Sequence, residues 1–416
     1  MKKYNCSQKL YIVEAAVEYL ISILVAGAFL ATLTKHLGIS DELTGILSSI
    51  ISLGCLFQLG SLFFQPKRKK PFVILFSVAN QLLFSSLYLI PLLNINQTLK
   101  IALFVAAIIL AYFLYNIAHP KKIVWLMSLV DDHQRGRFTA DKEITSLWIG
   151  MLFSFSMGAL SDHFIEHGQP RLAFIAFMAV MLALMLLHTA SMIFAKEDLP
   201  KSSAAAGPNI LLAAKSVLSN KKMRCIMLTF MLYQIAIHAA SPFYGTFLIN
   251  DLGFSLMATT GMTMLGSIAR ILISKFWGKY ADKYSFAKMF SLAMILLGLS
   301  YLMIGFAVPK TAFVLFPLYY IFHGMAMGGT NSALINLVFD YAEPESRADS
   351  LAVCQAIAGL IGFLATLALS PIIGAIQNGG NMIFGMSIYA QQIVSLIASL
   401  FCILTFFFVK KAFIKK

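Results

Sequence analysis

The sequence predicts an all-α polytopic membrane protein, with 12 transmembrane helices arranged as two pseudo-symmetric six-helix bundles. Three observations predict this class: long apolar segments, a scarcity of charge within them, and a positional bias of the basic residues. Apolar residues make up 59% of the 416 residues and charged residues only 12%, against about 25% charged in soluble domains. The composition therefore argues against an ordinary soluble enzyme or binding domain.

The apolar segments have the length of membrane-crossing helices. Each reaches the roughly 20 residues that an α-helix needs to cross the hydrocarbon core. Their apolar residues run continuously rather than alternating with a period of two, which argues against a transmembrane barrel. The predicted spans are residues 10–33, 43–64, 72–93, 101–130, 143–165, 171–195, 223–248, 257–277, 286–307, 312–339, 351–374 and 385–409.

The basic residues predict the orientation of these spans. With both termini inside and residues at the span ends counted with the adjoining side, 25 of the 32 Lys and Arg residues lie on the cytoplasmic side and three lie in the interior of spans. The other four lie outside: Lys35, Lys100, Arg171 and Lys310. This bias follows the positive-inside rule, so we expect a multi-pass protein of the cytoplasmic membrane with cytoplasmic termini. The net charge of +14 is then explained by topology, and no nucleic-acid partner is expected.

Several features of soluble catalysts and secreted proteins are absent from the sequence pattern. The first apolar segment is too long for a cleavable signal peptide and lacks a small-residue cleavage site. The five cysteines are scattered without disulfide or metal spacing, which favours a packing role. No ATP-binding loop or HExxH motif is present. We therefore expect no enzyme activity, no metal and no cofactor.

One polar segment divides the chain into two halves. It predicts an N-terminal six-helix bundle at 1–195, a cytoplasmic linker with a short amphipathic segment at 196–222, and a C-terminal bundle at 223–416. HLGIS at 36–40 matches DLGFS at 251–255, and LVDDHQR ending at Arg135 matches LVFDYAEPESR ending at Arg347. These matches, about 212 to 215 residues apart, predict a parallel repeat, a construction known from transporters that bind substrate near the midplane.

The motif WGKYADK, Trp277 to Lys283, completes a resemblance to the major facilitator superfamily over essentially the whole chain. The resemblance implies alternating access and a gate in which Asp282 pairs with a helix end and an arginine, here Arg347. The first-half loop, QPKRKKP, lacks this aspartate, so its gate is assigned to Asp131 or Asp132 with Arg135 or Arg137. The fifth span, ITSLWIGMLFSFSMGAL, lacks the proline typical of drug/proton antiporters.

Five charged residues lie in the interior of the spans, away from their first and last few residues, and they predict where the chain acts. They are Glu14, Glu18, Lys121, Lys122 and Arg270. Burying an ionisable group in hydrocarbon costs several kcal/mol, so such residues face a protein interior and commonly mark a solute or ion pathway. Their positions along the helices predict one layer slightly to the cytoplasmic side of the midplane. The alternatives are mutual pairing without a transport role, pairing of Glu14 with Lys9, and snorkelling of either lysine.

The predicted roles follow from the chemistry of these side chains. An excess of cations favours a substrate with a carboxylate or phosphate group. Glu18 and Glu14 are the predicted proton carriers, since two acids one turn apart repel in a low dielectric. Of the intramembrane histidines, His119 and His323 lie near the midplane and are favoured as functional residues over His188 and His238. The predicted substrate-binding residues are Arg270, Lys121, Lys122, His119, His323 and Asn331, with helix packing as the alternative for the last three.

The pattern as a whole predicts a secondary active transporter. We expect alternating access, proton coupling and a small anionic or zwitterionic solute moved across the cytoplasmic membrane. The alternative is a proton-coupled drug or metabolite efflux antiporter, and a more remote one is a non-transporting membrane receptor. The expected partners are a small-molecule substrate, protons and membrane lipid, and the expected assembly state is a monomer.

Overall fold

The computed structural model of the chain describes residues 4–54, 56–57, 66, 68–130, 135–197, 215, 217–342, 347–383 and 386–414. These residues form two compact units. Unit 1 comprises Met1–Ser40, Leu56–Ser203 and Leu248–Thr260, and unit 2 comprises Asp41–Cys55, Ala204–Phe247 and Gly261–Lys416.

Unit 1 is a bundle of long helices. Its helices are α1 (Cys6–Leu24), α2 (Gly27–His36), α4 (Lys69–Leu89), α5 (Gln97–Met127), α6 (Arg135–Glu166) and α7 (Pro170–Phe194). Helix α4 packs against α5 and α7, and α1 packs against α6 and α7. Asn5 begins the first helix with a capping box, in which its side chain accepts from Gln8 N and its backbone N–H donates to the Gln8 side chain.

Unit 2 is also helical and contains most of the C-terminal half. Its helices are α3 (Asp41–Ser49), α8 (Lys221–Ala240), α9 (Leu256–Lys283, whose first turn lies in unit 1), α10 (Phe286–Ile304), α11 (Pro309–Tyr341), α12 (Arg347–Asn378) and α13 (Ala390–Phe413). Helix α10 packs against α11 and α13, α8 packs against α12 and α13, and α3 packs against α12. A small antiparallel hairpin, Met382–Ile383 with Met386–Ser387, precedes the last helix.

The described residues include 11 helical segments that are long and apolar enough to cross a membrane. They correspond to 11 of the 12 predicted spans. The remaining prediction, 43–64, begins as α3 and continues as a 3-10 turn at Ile50–Leu53. Most of its second half lies outside the described residues, so its full length stays a prediction. The predicted domain boundaries also stay a prediction; in the structure, Asp41–Cys55 belongs to unit 2 and Leu248–Thr260 to unit 1.

The first span, predicted as one helix, is broken between α1 and α2. Gly27 begins α2 with φ of +53°, a left-handed conformation that glycine adopts without a steric penalty. The break leaves carbonyl groups without helical partners, and the Tyr88 hydroxyl donates to one of them, Leu24 O, at 2.5 Å. The first span of the second half is interrupted at a similar depth, where α8 gives way to a 3-10 turn at Ser241–Phe243 that contains Pro242.

Corresponding helices of the two halves have similar lengths, in agreement with the internal repeat that the short sequence matches predict. α6 and α12 each contain 32 residues and begin at Arg135 and Arg347, 212 residues apart. α1 and α8 contain 19 and 20 residues and begin 215 residues apart. Arg135 and Arg347, which end the matched sequence patterns, are the first residues of α6 and α12 that the structure describes.

Candidate functional site

Glu14 and Glu18 lie one turn apart on α1, in the interior of unit 1. A spacing of four residues places both side chains on one face of the helix. The Glu14 side chain is only 2% exposed and the Glu18 side chain 20% exposed. Glu18 is thus the carboxylate with more access to solvent, and Glu14 is enclosed by protein.

Lys122, on α5, neutralises part of this acidic charge. Its Nζ lies 2.8 Å from Glu14 Oε1 and is also paired with Glu18 Oε2. The lysine side chain is 4% exposed, so the ion pairs are shielded from water and salt. Removing one member of a buried pair is costly because it leaves an uncompensated charge. Pairing of Glu14 with Lys9, one of the alternatives from the sequence, is not the arrangement found.

His188 on α7 and Gln81 on α4 complete the group, which we call the charge cluster: Glu14, Glu18, Lys122, His188 and Gln81. His188 Nε2 lies 3.1 Å from Glu14 Oε1 and 3.9 Å from Glu18 Oε2. Its other ring nitrogen, Nδ1, lies 2.9 Å from Gln81 Nε2. Two donors, the lysine ammonium and the histidine ring, therefore converge on the same oxygen of Glu14.

The charge cluster brings several ionisable side chains close together. Oxygen and nitrogen atoms of Glu14, Glu18 and His188 lie within 4.8 Å of one another, and the cation that they surround is the Lys122 ammonium. With a neutral imidazole, two carboxylates and one ammonium leave a net charge of −1.

The remaining predicted site residues of unit 1 lie around this cluster rather than in it. Lys121 extends over the ring of Phe72, with Nζ 5.6 Å from the ring centroid. Its neighbour Lys122 points to the acids because adjacent helical residues differ by about 100° in direction. The ring of His119 packs on Tyr115 at 5.0 Å between centroids, and its Nδ1 is buried without a hydrogen-bond partner among the described residues.

Arg270 lies on α9, in unit 2, among aromatic side chains. It is close enough to Tyr233 and His323 to interact electrostatically with both. His323 packs against Tyr319, with ring centroids 5.2 Å apart, and against Tyr301 at 6.3 Å. Arg270 thus lies near one hydroxyl-bearing ring and one histidine ring. Asn331, the remaining predicted binding residue of unit 2, is exposed on α11.

Glycines bring α9 and α11 into close contact beside this group. A Cβ atom at Gly324 would lie 2.7 Å from the carbonyl carbon of Gly266 and 2.9 Å from its Cα. One turn and a half further on, Gly329 faces the Trp277 ring, whose Nε1 donates to Met325 O at 2.7 Å. The two helices thus pack backbone against backbone.

The predicted gating residues lie at helix ends. Asp282 belongs to the last turn of α9, and Arg135 and Arg347 open α6 and α12. The side chains of these three residues lie outside the part of the chain that the structure describes, as do residues 131–134, which include Asp131 and Asp132. The gating pairs therefore stay predictions.

The long apolar helices and the buried charges within them define a multi-pass membrane protein of the transporter class. The model of the Major Facilitator Superfamily matches residues 15–366 and 226–414. The chain belongs to this family of membrane transporters, and it is not an enzyme. Comparison with curated protein sequences gave no match.

Solved structures of three transporters share the fold. The nucleoside transporter NupG is 12% identical, with a TM-score of 0.75 over 99% of this chain and 100% of that one. A D-xylose-proton symporter is 12% identical, with a TM-score of 0.70 over 95% and 96%. An auto-inhibited POT family peptide transporter is 13% identical, with a TM-score of 0.69 over 99% and 97%. At these identities the likeness establishes the fold alone.

Two members of the charge cluster were not among the predicted site residues. Gln81 and His188 are single polar residues within long apolar helices, and they lie 107 residues apart in the chain. A lone histidine in such a helix is more often a packing residue, and no spacing motif links it to Glu14, 174 residues away. The available signal was only that His188 is one of few titratable groups inside a span.

Proposed function

We propose that the chain is a secondary active transporter that couples proton movement to the movement of a small anionic or zwitterionic solute. The observation that carries this proposal is the buried ammonium of Lys122 shared by the carboxylates of Glu14 and Glu18. Such a group is expensive to maintain in a membrane protein and is a functional site by default. Alternating access of the two halves is part of the proposal, on the precedent of parallel-repeat transporters.

The coupling that we propose follows from competition for one ammonium group. While both glutamates are ionised, the Lys122 ammonium is paired with them and binds a solute anion only weakly. Protonation of Glu18, the more exposed carboxylate, neutralises one of the two groups that pair with the Lys122 ammonium. A solute carboxylate or phosphate can then take the vacated position on Lys122. The proton and the anion are thereby favoured together, which is the thermodynamic requirement of a symporter.

Arg270 is our second anion-binding group. A guanidinium binds a carboxylate or phosphate through two parallel hydrogen bonds, and nearby His323 and Tyr233 add polar groups to aromatic surfaces. We also retain Lys121, His119 and Asn331 as candidate binding residues. Asp282 with Arg347, and Asp131 with Arg135, remain the proposed gate pairs. The protein is proposed to act as a monomer in the cytoplasmic membrane, with both termini cytoplasmic.

The first test is a pair of charge-removing variants, Arg270→Gln and Glu18→Gln. Purified proteins are reconstituted into vesicles, and uptake of a panel of carboxylates and phosphates is measured with and without an inward proton gradient. We expect wild-type accumulation that depends on the gradient, and its loss in both variants while the folded protein remains in the membrane. Arg171→Gln and Glu166→Gln, which remove exposed charges near helix ends, serve as matched controls and should transport normally.

A thermal-shift screen of the same proteins separates this proposal from drug or metabolite efflux. A ligand that binds the native state raises its melting temperature by mass action. Stabilisation by carboxylates or phosphates that disappears in Arg270→Gln supports the anion carrier. Stabilisation by lipophilic cations or neutral drugs alone would contradict it and favour efflux. Full transport in both charge-removing variants would contradict the assigned site. Absence of uptake by the wild type for every solute tested would contradict the transporter and leave the non-transporting receptor as the hypothesis to test.

A further inference from the structure

The hydrogen bonds of His188 define which of its ring nitrogens carries the proton. Gln81 Nε2 lies 2.9 Å from Nδ1, and an amide nitrogen can only donate. Nδ1 must therefore accept, so the ring proton of the neutral imidazole is on Nε2. That nitrogen points at Glu14 Oε1, 3.1 Å away, and donates to it. The described state thus has a neutral histidine held between an amide donor and a carboxylate acceptor.

Gln81 has a second hydrogen-bonding group that this state leaves unused. Its Oε1 is buried and has no hydrogen-bond partner among the described residues. Rotating the amide by 180° about its last side-chain bond exchanges Nε2 and Oε1. The oxygen would then face His188 Nδ1 and accept a hydrogen bond from it. Only a doubly protonated ring can provide that donor while keeping Nε2–H on Glu14.

Charged groups from several helices face His188. Helix α1 presents Glu14 and Glu18 and helix α5 presents Lys122, while α4 presents the uncharged Gln81. On α6, Lys142 adds a positive charge near the cluster, since it interacts electrostatically with Glu14 and with Lys122. Burial opposes a charged imidazolium, but the cluster carries a net −1 without it. One proton on His188 makes the charge cluster neutral.

We propose that His188 is a proton-binding residue of this transporter, with Gln81 as the amide that follows its protonation. The inference rests on the proposed function, and it adds a proton site to the glutamates. Lys122 Nζ and His188 Nε2 both contact Glu14 Oε1. An imidazolium at this position neutralises Glu14 in place of the lysine. Protonation of His188 therefore loosens the hold of Glu14 on the Lys122 ammonium, which becomes available to an anion.

The test is a direct observation of the histidine rings by nitrogen NMR. The full-length protein is labelled with ¹⁵N-histidine, purified in detergent and titrated from pH 8 to pH 5. The chain has eight histidines, and the His188 signals are identified by their loss in His188→Gln. We expect the neutral Nε2–H pattern at pH 8 and an imidazolium at pH 5.

The variant Gln81→Met tests whether the Gln81 amide stabilises the protonated His188 ring. Methionine has a similar length but cannot accept from the protonated ring, so the imidazolium fraction of His188 at pH 6 should fall at least threefold. Gln392→Met, which removes another buried glutamine in unit 2, should leave the His188 titration unchanged. A His188 ring that stays neutral down to pH 5 would overturn the inference, as would an unchanged titration in Gln81→Met.

The same proteins in vesicles separate this inference from the transport proposal. If His188 titrates but the wild type accumulates none of the carboxylates and phosphates, the proton site stands and the anion-carrier proposal fails. If the wild type accumulates an anion while His188 remains neutral, the carrier stands and the His188 inference fails. When both hold, His188→Gln should flatten the pH profile of uptake between pH 5 and pH 8.

Discussion

Lys122 donates to two carboxylates in a site where its own side chain is 4% exposed. The two acids, one turn apart on α1, depend on this one ammonium and on the His188 ring for compensation. Neither acid can be hydrated as it would be at the protein surface. The stability of unit 1 and the chemistry of its charge cluster are therefore coupled through a single side chain.

Replacing Lys122 with methionine should destabilise the protein. The change keeps the length of the side chain but leaves two buried like charges, at a cost of about 3–5 kcal/mol. We expect a lower melting temperature in thermal unfolding of the purified protein in detergent. Adding Glu14→Gln to Lys122→Met should recover most of the loss, because it removes the more deeply buried acid.

Lys121→Met is the matched control for this prediction. It removes the same charge from the adjacent residue, whose Nζ lies 5.6 Å from the Phe72 ring centroid, and should lower the melting temperature less than Lys122→Met does. Equal losses in Lys121→Met and Lys122→Met would show that the effect comes from basic charge in α5 generally and not from the ion pairs.

The charged members of this cluster were accessible to sequence reasoning and its polar members were not. A charge within an apolar segment stands out in a single sequence, so Glu14, Glu18 and Lys122 could be selected, and the i, i+4 spacing placed both acids on one face. Which lysine faces them depends on the rotation of α5 about its axis. The roles of His188 and Gln81 depend on how α4 and α7 pack against α1, which no local pattern encodes.

Close helix packing in unit 2 depends on glycines with no room for a side chain. Gly324→Ala on α11 would press a methyl group into the backbone of Gly266, and overpacking of this kind costs about 1–3 kcal/mol. We expect a lower melting temperature. Gly278→Ala on α9 meets open space and should leave stability unchanged or slightly higher, since alanine favours the helix. Equal effects of the two substitutions would contradict the close contact of α9 with α11.

Helix existence was easier to predict than helix continuity. Hydropathy locates apolar segments well, because every backbone polar group within lipid must be paired and a helix satisfies this locally. It does not register a break such as that between α1 and α2, because Val25 and Ala26 are as apolar as their neighbours. The break is stabilised by Gly27 and by Tyr88, which lies 64 residues from the carbonyl that it satisfies.

The distribution of charge over the whole chain predicts which ends of the helices face the cytoplasm. Lys288 lies at the start of α10 and Lys310 at the start of α11, and both are exposed. α10 contains 19 residues, about 28 Å of helix, so the two lysines should lie on opposite membrane faces. In intact cells, a membrane-impermeant thiol reagent should label Lys310→Cys, and Lys288→Cys only after lysis. Labelling of the wild type measures the contribution of the native cysteines. Labelling of Lys288→Cys in intact cells, and of Lys310→Cys only after lysis, would contradict the proposed orientation.

The class of the molecule could be predicted more fully than its solute. Apolar length, basic bias and the short repeats led to the family, and the family model confirms that assignment. Solute recognition depends on a few side chains whose spacing in the chain says nothing of their distance in space. Arg270 and His323 illustrate this, since they lie on α9 and α11 and come together only through the packing of those helices.

The two adjacent lysines of α5 give this helix a tolerance of rotational register. Turning α5 by about 100°, the angle between consecutive residues, would replace the Lys122 ammonium with that of Lys121 on the side facing α1. A one-residue slip of the helix, by deletion or by a twisting motion, would thus preserve a cation opposite the glutamates. Such a rotation would move the Lys122 ammonium away from Glu14 and Glu18 and bring the Lys121 ammonium to them. The two glutamates would then exchange one counter-ion for another while the local charge stayed constant.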